Sequence, residues 1–285
     1  MVKSILLATD FSERSDRALA RARLLAKEAG AKLTLAHIVD DDKPSSMAQA
    51  EAATAAGILD EQARMLQEMD GLAAATHVRL AAPFAGIVQA AQDHAADLIV
   101  IGPHRRRILR DVFIGTTAER TIRTAPCPVL MANATVAGRY RNTLLTTDLS
   151  AQSRKALTTY GKLGIAGGAK ISILHVFEDA ALRLAMGHSI PRSEMDIQNS
   201  KAQEKAYRDL FTFTEGLGLD IAMHHVRLDL TSPATEILTA ADELESDLLV
   251  IGAREKSGVD KLFLGSVAEA VLKTADIDAL VLPCK

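Results

Sequence analysis

The chain has 285 residues, a formal net charge of −3, 48% apolar residues, 4% aromatic residues and no Trp. That length suits two domains of ordinary size, each with an aliphatic core of the kind formed by helices on a parallel sheet. The near-neutral charge argues against nucleic acid or an anionic membrane as partner, and no stretch is long and apolar enough to span a bilayer.

Met1-Val2-Lys3-Ser4 runs directly into an apolar strand pattern, without the apolar region and small-residue cleavage site of a signal peptide. A cytoplasmic location is therefore expected. Residues Lys3–Thr9 read as a first strand, followed by a helix with Ser12 as its N-cap and an end near Gly30. Leu33–Val39 reads as a second strand, Met47–Met69 as a helix and His77–Ala81 as a third strand. Pro83 opens the next helix. Leu98–Ile101 is a continuous apolar run, expected for a strand buried on both faces. A helix starting near Gly115 and a last strand, Val129–Met131, complete the series.

The same series then repeats. Asn142–Thr147, a helix capped by Ser150 and ending near Gly167-Gly168, and Ile171–Phe177 match the opening elements. Asp10-Phe11-Ser12-x-x-Ser15 corresponds to Asp148-Leu149-Ser150-x-x-Ser153, an offset of 148 − 10 = 138. Arg192–Glu215 reads as a helix, Ile221–Leu228 as a strand, and Pro233 opens another helix. Leu248–Ile251 and Ala279–Leu282 read as the last two strands, with a helix from about Gly265 between them. Asp97–Gly102 corresponds to Asp247–Gly252, an offset of 247 − 97 = 150. The second copy thus carries a net insertion of 150 − 138 = 12 residues, placed at Ala180–Pro191. Its run Ala181–Met186 is expected to form a flap or part of an interface.

The expected architecture is α/β: two tandem doubly wound, five-stranded parallel-sheet domains of Rossmann-like, nucleotide-binding type. They span 1–134 and 140–285, joined by a polar, Gly-containing linker at Asn133–Tyr140. Cys127 and Cys284 do not fall at matching places, so they read as two reduced structural thiols.

Such sheets bind ligands beyond the carboxyl ends of their strands. Asp10 and Asp148 follow the first strands, where a carboxylate can hold a ribose or an adenine amine, or can simply favour a helix N-terminus. Gly102 with Gly115-Thr116, and Gly252 with Gly265-Ser266, recur at the same spacing, 115 − 102 = 13 and 265 − 252 = 13. A helix N-terminus there offers N–H groups to an anion, and the hydroxyl can bind phosphate or cap the helix. His37 and His175 end the second strands and read as partly buried structural residues. No Ser-His-Asp triad, zinc motif or P-loop lysine is present. A pair of receiver domains fits poorly, because each copy has one Asp after its first strand and none at Leu80-Ala81-Ala82.

These residues resemble those of a tandem universal stress protein over essentially the whole chain. Asp10-Phe11-Ser12, His37-Ile38, Ala96–Gly102, Gly115-Thr116 and Ala125–Leu130 carry the likeness. Asp148-Leu149-Ser150, His175-Val176, Ser246–Gly252 and Gly265–Glu269 carry it in the second copy, whose closing Ile277–Leu282 departs from the usual form. Members that bind ATP or AMP have the motif Gly, two residues, Gly, nine residues, Gly-Ser/Thr. The resemblance implies that Gly102, Gly115 and Thr116 hold phosphates, and that Asp10 and Ile38 hold ribose and adenine. Asp148, Val176, Gly252, Gly265 and Ser266 are the corresponding residues of the second copy.

The motif's second Gly is Arg105 in the first copy and Glu255 in the second. Arg105, within His104-Arg105-Arg106-Arg107, can supply guanidinium donors to phosphate or form a solvated basic loop. Glu255 places a carboxylate beside any phosphates, so the second site is expected to be degenerate. The resulting expectation is a stress-response protein binding ATP or AMP, with Mg accompanying ATP, in its first domain. Any ATP turnover is expected to be slow, with no catalytic residue and no resident metal. The alternative is a tandem scaffold that binds no nucleotide and works through protein contacts or another small ligand. The family's habit of pairing through last strands implies an intramolecular pseudo-dimer, and homodimers of whole chains remain open.

Overall fold

In the computed structural model, residues 1–103, 117–179, 192–253 and 264–283 are described. The first half runs β1 (Ser4–Ala8), α1 (Glu13–Ala29), β2 (Lys32–Val39), α2 (Ser45–Asp70) and β3 (Ala74–Leu80). It continues with α3 (Pro83–Asp93), β4 (Leu98–Ile101), α4 (Thr117–Thr124) and β5 (Val129–Met131). The second half runs β6 (Asn142–Thr147), α5 (Ala151–Leu163), β7 (Lys170–Phe177), α6 (Arg192–Thr214) and β8 (Ile221–Leu228). It ends with α7 (Pro233–Glu243), β9 (Leu248–Ala253), α8 (Ser266–Thr274) and β10 (Asp278–Pro283). Ala180–Pro191, to which the insertion was assigned, lies outside the described residues.

One ten-stranded sheet holds both halves, in the order β3-β2-β1-β4-β5-β10-β9-β6-β7-β8. Every neighbouring pair is parallel except β5·β10, which is antiparallel. The apolar runs are explained by burial on both faces. Ile5 and Leu7 face a core made with Ala22 and Leu25 of α1, Leu59 of α2 and their counterparts on α5 and α6. Leu6, between them, faces the opposite core with Ile87 of α3, Ile122 of α4 and residues of α7 and α8. Alternate side chains of one strand thus feed two cores, so both faces are mostly apolar.

Local chemistry sets the element ends. Gly30 closes α1 at φ 62°, a left-handed conformation that costs glycine little. The second equivalent helix stops earlier than Gly167-Gly168: Gly164, at φ 65°, closes α5 after Leu163, and the following residues form a separate turn. Ser150 caps α5 by accepting from Ser153 N. Ser12 occupies the N-cap position of α1 but makes no capping bond; its hydroxyl is turned to Asp10, to which it donates. β3 starts at Ala74, before the expected His77, because its backbone already pairs with Leu33 of β2. That extension is carried by the ladder and leaves little mark on side-chain pattern in an edge strand.

The linker is fastened at both ends. Asn133 Nδ2 donates to Ile277 O at 2.9 Å, and Arg17 donates to Asn133 O at 2.9 Å. Arg21 donates to Gly138 O at 2.8 Å. Cys127 is buried and makes no disulfide, while Cys284 lies outside the described residues.

Gly102 lies where β4 delivers the chain against the first turn of α1. A Cβ there would sit 2.9 Å from Arg14 O and 3.3 Å from Ser15 N, both backbone atoms. Gly102→Ala should therefore force strand and helix apart and cost about 1–3 kcal/mol, read as a lower urea midpoint at unchanged slope. Stability equal to wild type would show that the two elements can part freely.

His77 on β3 and His94 after α3 place Nδ1 and Nε2 3.1 Å apart. Burial, then the neighbouring His94 and Arg79 charges, lower the His77 pKa below its ordinary value. Burial also lowers His224 and His225 on β8. A lowered histidine pKa means that the unfolded chain binds the proton more tightly. Stability is then full above the ordinary value of about 6.5 and falls as pH drops through the folded-state value. His77→Gln should flatten, without abolishing, the fall of melting temperature with pH below about 6.5. An unchanged slope would remove His77 from the acid response.

Candidate functional site

The sheet order sets β1 between β2 and β4, with Ala8 opposite both Ala36 and Ile101. Asp10, Ile38 and Gly102 therefore emerge side by side at one carboxyl edge. After β1 the chain turns sharply: Phe11 has φ 58° and its counterpart Leu149 has φ 61°. A bulky residue in that region is strained. The strain is held by a repeated bond, Phe11 N to Thr9 Oγ1 and Leu149 N to Thr147 Oγ1, both 3.0 Å.

That turn orients Asp10. Its Oδ1 accepts from Ser12 N at 3.1 Å, from the Ser12 hydroxyl at 2.5 Å and from the Ser15 hydroxyl. Among the described residues, Oδ2 meets only Arg14, at 3.5 Å, and the side chain is 62% exposed. Burial raises the Asp10 pKa, but the Ser12 and Ser15 bonds and the Arg14 charge outweigh it and hold the carboxyl below its ordinary value. Asp10 is thus an ionised acceptor with one oxygen fixed by the protein and the other open to a donor from outside. Ser15 and Arg14 were not among the sequence candidates. The Asp-x-Ser-x-x-Ser repeat contained the signal for Ser15, since Ser153 recurs at its position.

The histidines at the strand ends are structural in geometry. His37, 9% exposed, places Nδ1 2.8 Å from Thr9 O and stacks on Phe11 with ring centroids 4.4 Å apart. His175 repeats the bond to Thr147 O at 3.0 Å. Both tie the end of one strand to the turn that aims the carboxylate.

Ile38 forms the other wall. A Cβ on Gly86 would approach Ile38 Cγ2 to 2.5 Å, so a larger residue at 86 would require the Ile38 side chain to shift. The second half has Glu236 there (236 − 86 = 150) and the smaller Val176 on the strand. Thr231 donates to Glu236 at 3.2 Å, and Arg227 lies 3.6 Å from it. Asp229, 8% exposed, replaces Ala81: Asp229 N bonds Phe177 O as Ala81 N bonds Val39 O. Asp229 and Glu236 thus stand where the first half has Ala81 and Gly86, and Asp148 accepts from Ser150 N at 3.0 Å.

Gly252 lies in β9, and Gly265, at φ 87° and ψ 135°, precedes α8, which Ser266 opens. The first-turn N–H groups of α8 point out of that helix end. Arg105, Gly115 and Thr116 of the first copy, with the rest of His104–Arg107, lie outside the described residues, as do Arg254, Glu255 and Lys256. Among the described residues, the one group of three acids close enough to share a cation is Asp40-Asp41-Asp42, with Asp41 and Asp42 exposed. Asp42 N bonds Asp40 Oδ1 at 3.2 Å, an ordinary turn contact. No helix among the described residues is long and apolar enough to cross a membrane.

The arrangement has known relatives. A universal stress protein of Thermus aquaticus is 30% identical over 148 residues, covering 46% of this chain and 98% of its own. Over nearly the full length, a functionally unknown protein of Pseudomonas aeruginosa PAO1 superposes with a TM-score of 0.72 at 22% identity. The match covers 99% of this chain and 92% of that one. A universal stress protein from Archaeoglobus fulgidus gives 0.69 at 18% identity, covering 98% and 96%. These two likenesses establish the fold. The profile of the Universal stress protein family matches residues 1–133 and again 139–283, so this chain is a tandem member of the universal stress protein family.

Proposed function

We propose that the first half, 1–134, binds one adenine nucleotide, ATP or AMP, at the carboxyl edge of β2, β1 and β4. The matching edge of the second half, 140–285, is degenerate in this reading. The observation that carries it is Asp10, whose Oδ1 is saturated by Ser12 and Ser15 while Oδ2 faces outward. An ionised, pre-oriented acceptor suits a ribose hydroxyl, and such bonds are the stronger ones. Ile38, half-buried near the end of β2, offers an apolar contact to the base. Gly115 and Thr116 would receive the phosphates, and Arg105 would supply donors where the family motif has glycine. Mg would accompany ATP rather than reside in the protein. In the second half Glu236 stands where the first has Gly86 and Glu255 where it has Arg105, and a carboxylate in place of the motif's second Gly would repel phosphate at Asp148, Val176, Gly252, Gly265 and Ser266. Nucleotide occupancy would then serve as a signal in a cytoplasmic stress response.

One observation favours a second reading, a scaffold that binds no nucleotide. Gly102 is already required by the approach of Arg14 O and Ser15 N, so its presence needs no ligand.

Calorimetric titration of Mg-ATP and of AMP separates the two. We expect saturation near one site per chain. Asp10→Ala should weaken binding about 10- to 100-fold, the worth of a hydrogen bond to a charged group. Asp148→Ala should leave affinity unchanged. Absence of binding at millimolar nucleotide would exclude the sensor and leave the scaffold.

A further inference from the structure

The joint between the halves is symmetric in its backbone and asymmetric in its side chains. Across it, Val129 faces Val281, Leu130 faces Leu280 and Met131 faces Ala279. Leu280 is the repeat equivalent of Leu130 (280 − 130 = 150), so a pseudo-twofold axis passes through that pair. The same ladder could therefore form between two copies of β5, or two copies of β10, from different chains. The backbone does not choose among these three joints.

Side chains on one flank do distinguish them. Arg21 of α1 donates from Nε to Asp278 Oδ2 at 2.7 Å, with side-chain exposures of 4% and 0%. Tyr140 OH donates to the same oxygen at 2.7 Å, and Ala134 N donates to Oδ1 at 2.9 Å. The Arg21 guanidinium also lies 4.1 Å from the centre of the Tyr140 ring. The mirror positions hold none of these groups: Asp278 corresponds to Pro128 (278 − 150), Arg21 to Thr159 (21 + 138) and Tyr140 to Val2 (140 − 138).

A β5·β5 joint would set Arg21 against Pro128 twice over. A β10·β10 joint would set Asp278 against Thr159, and Pro283 in place of Asn133 (133 + 150) would leave Ile277 O without its donor. Each would bury a charge with its partner removed, the strongly destabilising case for an ion pair. We propose that the Arg21–Asp278 pair selects the mixed β5·β10 joint against like-with-like pairing with a second copy of this chain. Buried polar groups act in this way when they fix register and partner.

The linker also favours the internal joint by holding the halves at high effective concentration. The test removes it after folding. A protease site is inserted between Thr135 and Val136, and the folded full chain is cleaved. The product is incubated in urea below the unfolding transition and read by native mass spectrometry. Cleaved wild type should remain a pair of one first half with one second half. Arg21→Met/Asp278→Leu replaces the ion pair by apolar groups of similar size, a change that usually preserves folding. It should redistribute toward a one-to-two-to-one mixture of the three pairings. Asp278→Asn, which keeps the shape and removes the charge, should shift the mixture in the same direction. Redistribution of cleaved wild type, or retention of the mixed pair alone by both variants, would overturn the proposal.

Discussion

A five-stranded parallel sheet ends in a strand with one open edge, and here both such strands are apolar. Val129, Leu130 and Met131 are 0–1% exposed, and Ala279, Leu280 and Val281 are 0–2% exposed. Left open, each would template pairing with another chain. Joining them makes one sheet and leaves β3 and β8 as the outer strands. The remaining edges carry exposed Leu80 and Met223, but also His77, Arg79, His224 and Arg227 in place of an apolar run. The joint therefore protects the most hydrophobic strands and moves the sheet ends to polar ones.

The joint also fixes where chemistry can occur. Strands within a half are parallel and the two halves meet antiparallel, so their carboxyl edges lie at opposite sides of the sheet. Asp10 and Asp148 consequently cannot serve one small ligand together. Each edge must act alone, and their sequences are free to diverge while the shared core is kept. The pair Ile38/Gly86 has become Val176/Glu236, exchanging strand volume for a helix side chain. Phe11 stacks on His37, while Leu149 occupies the equivalent turn position with the same positive φ. The turn, the threonine bond and the histidine bond persist where the ring contact does not. Those parts belong to the fold, and the wall residues are where the two edges diverge.

Most of the fold was legible because it is encoded by local pattern and then written twice. Leu98–Ile101, Val129–Met131, Asn142–Thr147 and Ile221–Leu228 are strands with the expected limits, each an apolar or alternating run bounded by turn residues. Failures arose where a residue answered to something distant in the sequence or had competing partners. Ser12 looks like a cap, but its hydroxyl is turned to Asp10, to which it donates, and it accepts from no first-turn N–H. Gly167-Gly168 reads as the end of α5, but Gly164 comes first and already takes the left-handed conformation that closes the helix. Gly102 reads as ligand-facing, yet its need is steric: a Cβ there would sit 2.9 Å from Arg14 O.

Arg21 is the extreme case of that limit. It lies on a helix rich in Arg and Lys, where a cation ordinarily lies in solvent, and nothing within its own half marks it for burial. Its partner did leave a trace. The second copy departs from the repeat at its closing segment, placing Asp278 where the first copy has Pro128. A break in a repeat marks the place where the two copies stop being equivalent, and two copies that pair with each other are least equivalent at their contact. A carboxylate there, wholly buried, requires a cation from across the contact. Asp278 thus points to the opposite half, although only the three-dimensional arrangement identifies Arg21 as the residue that answers it.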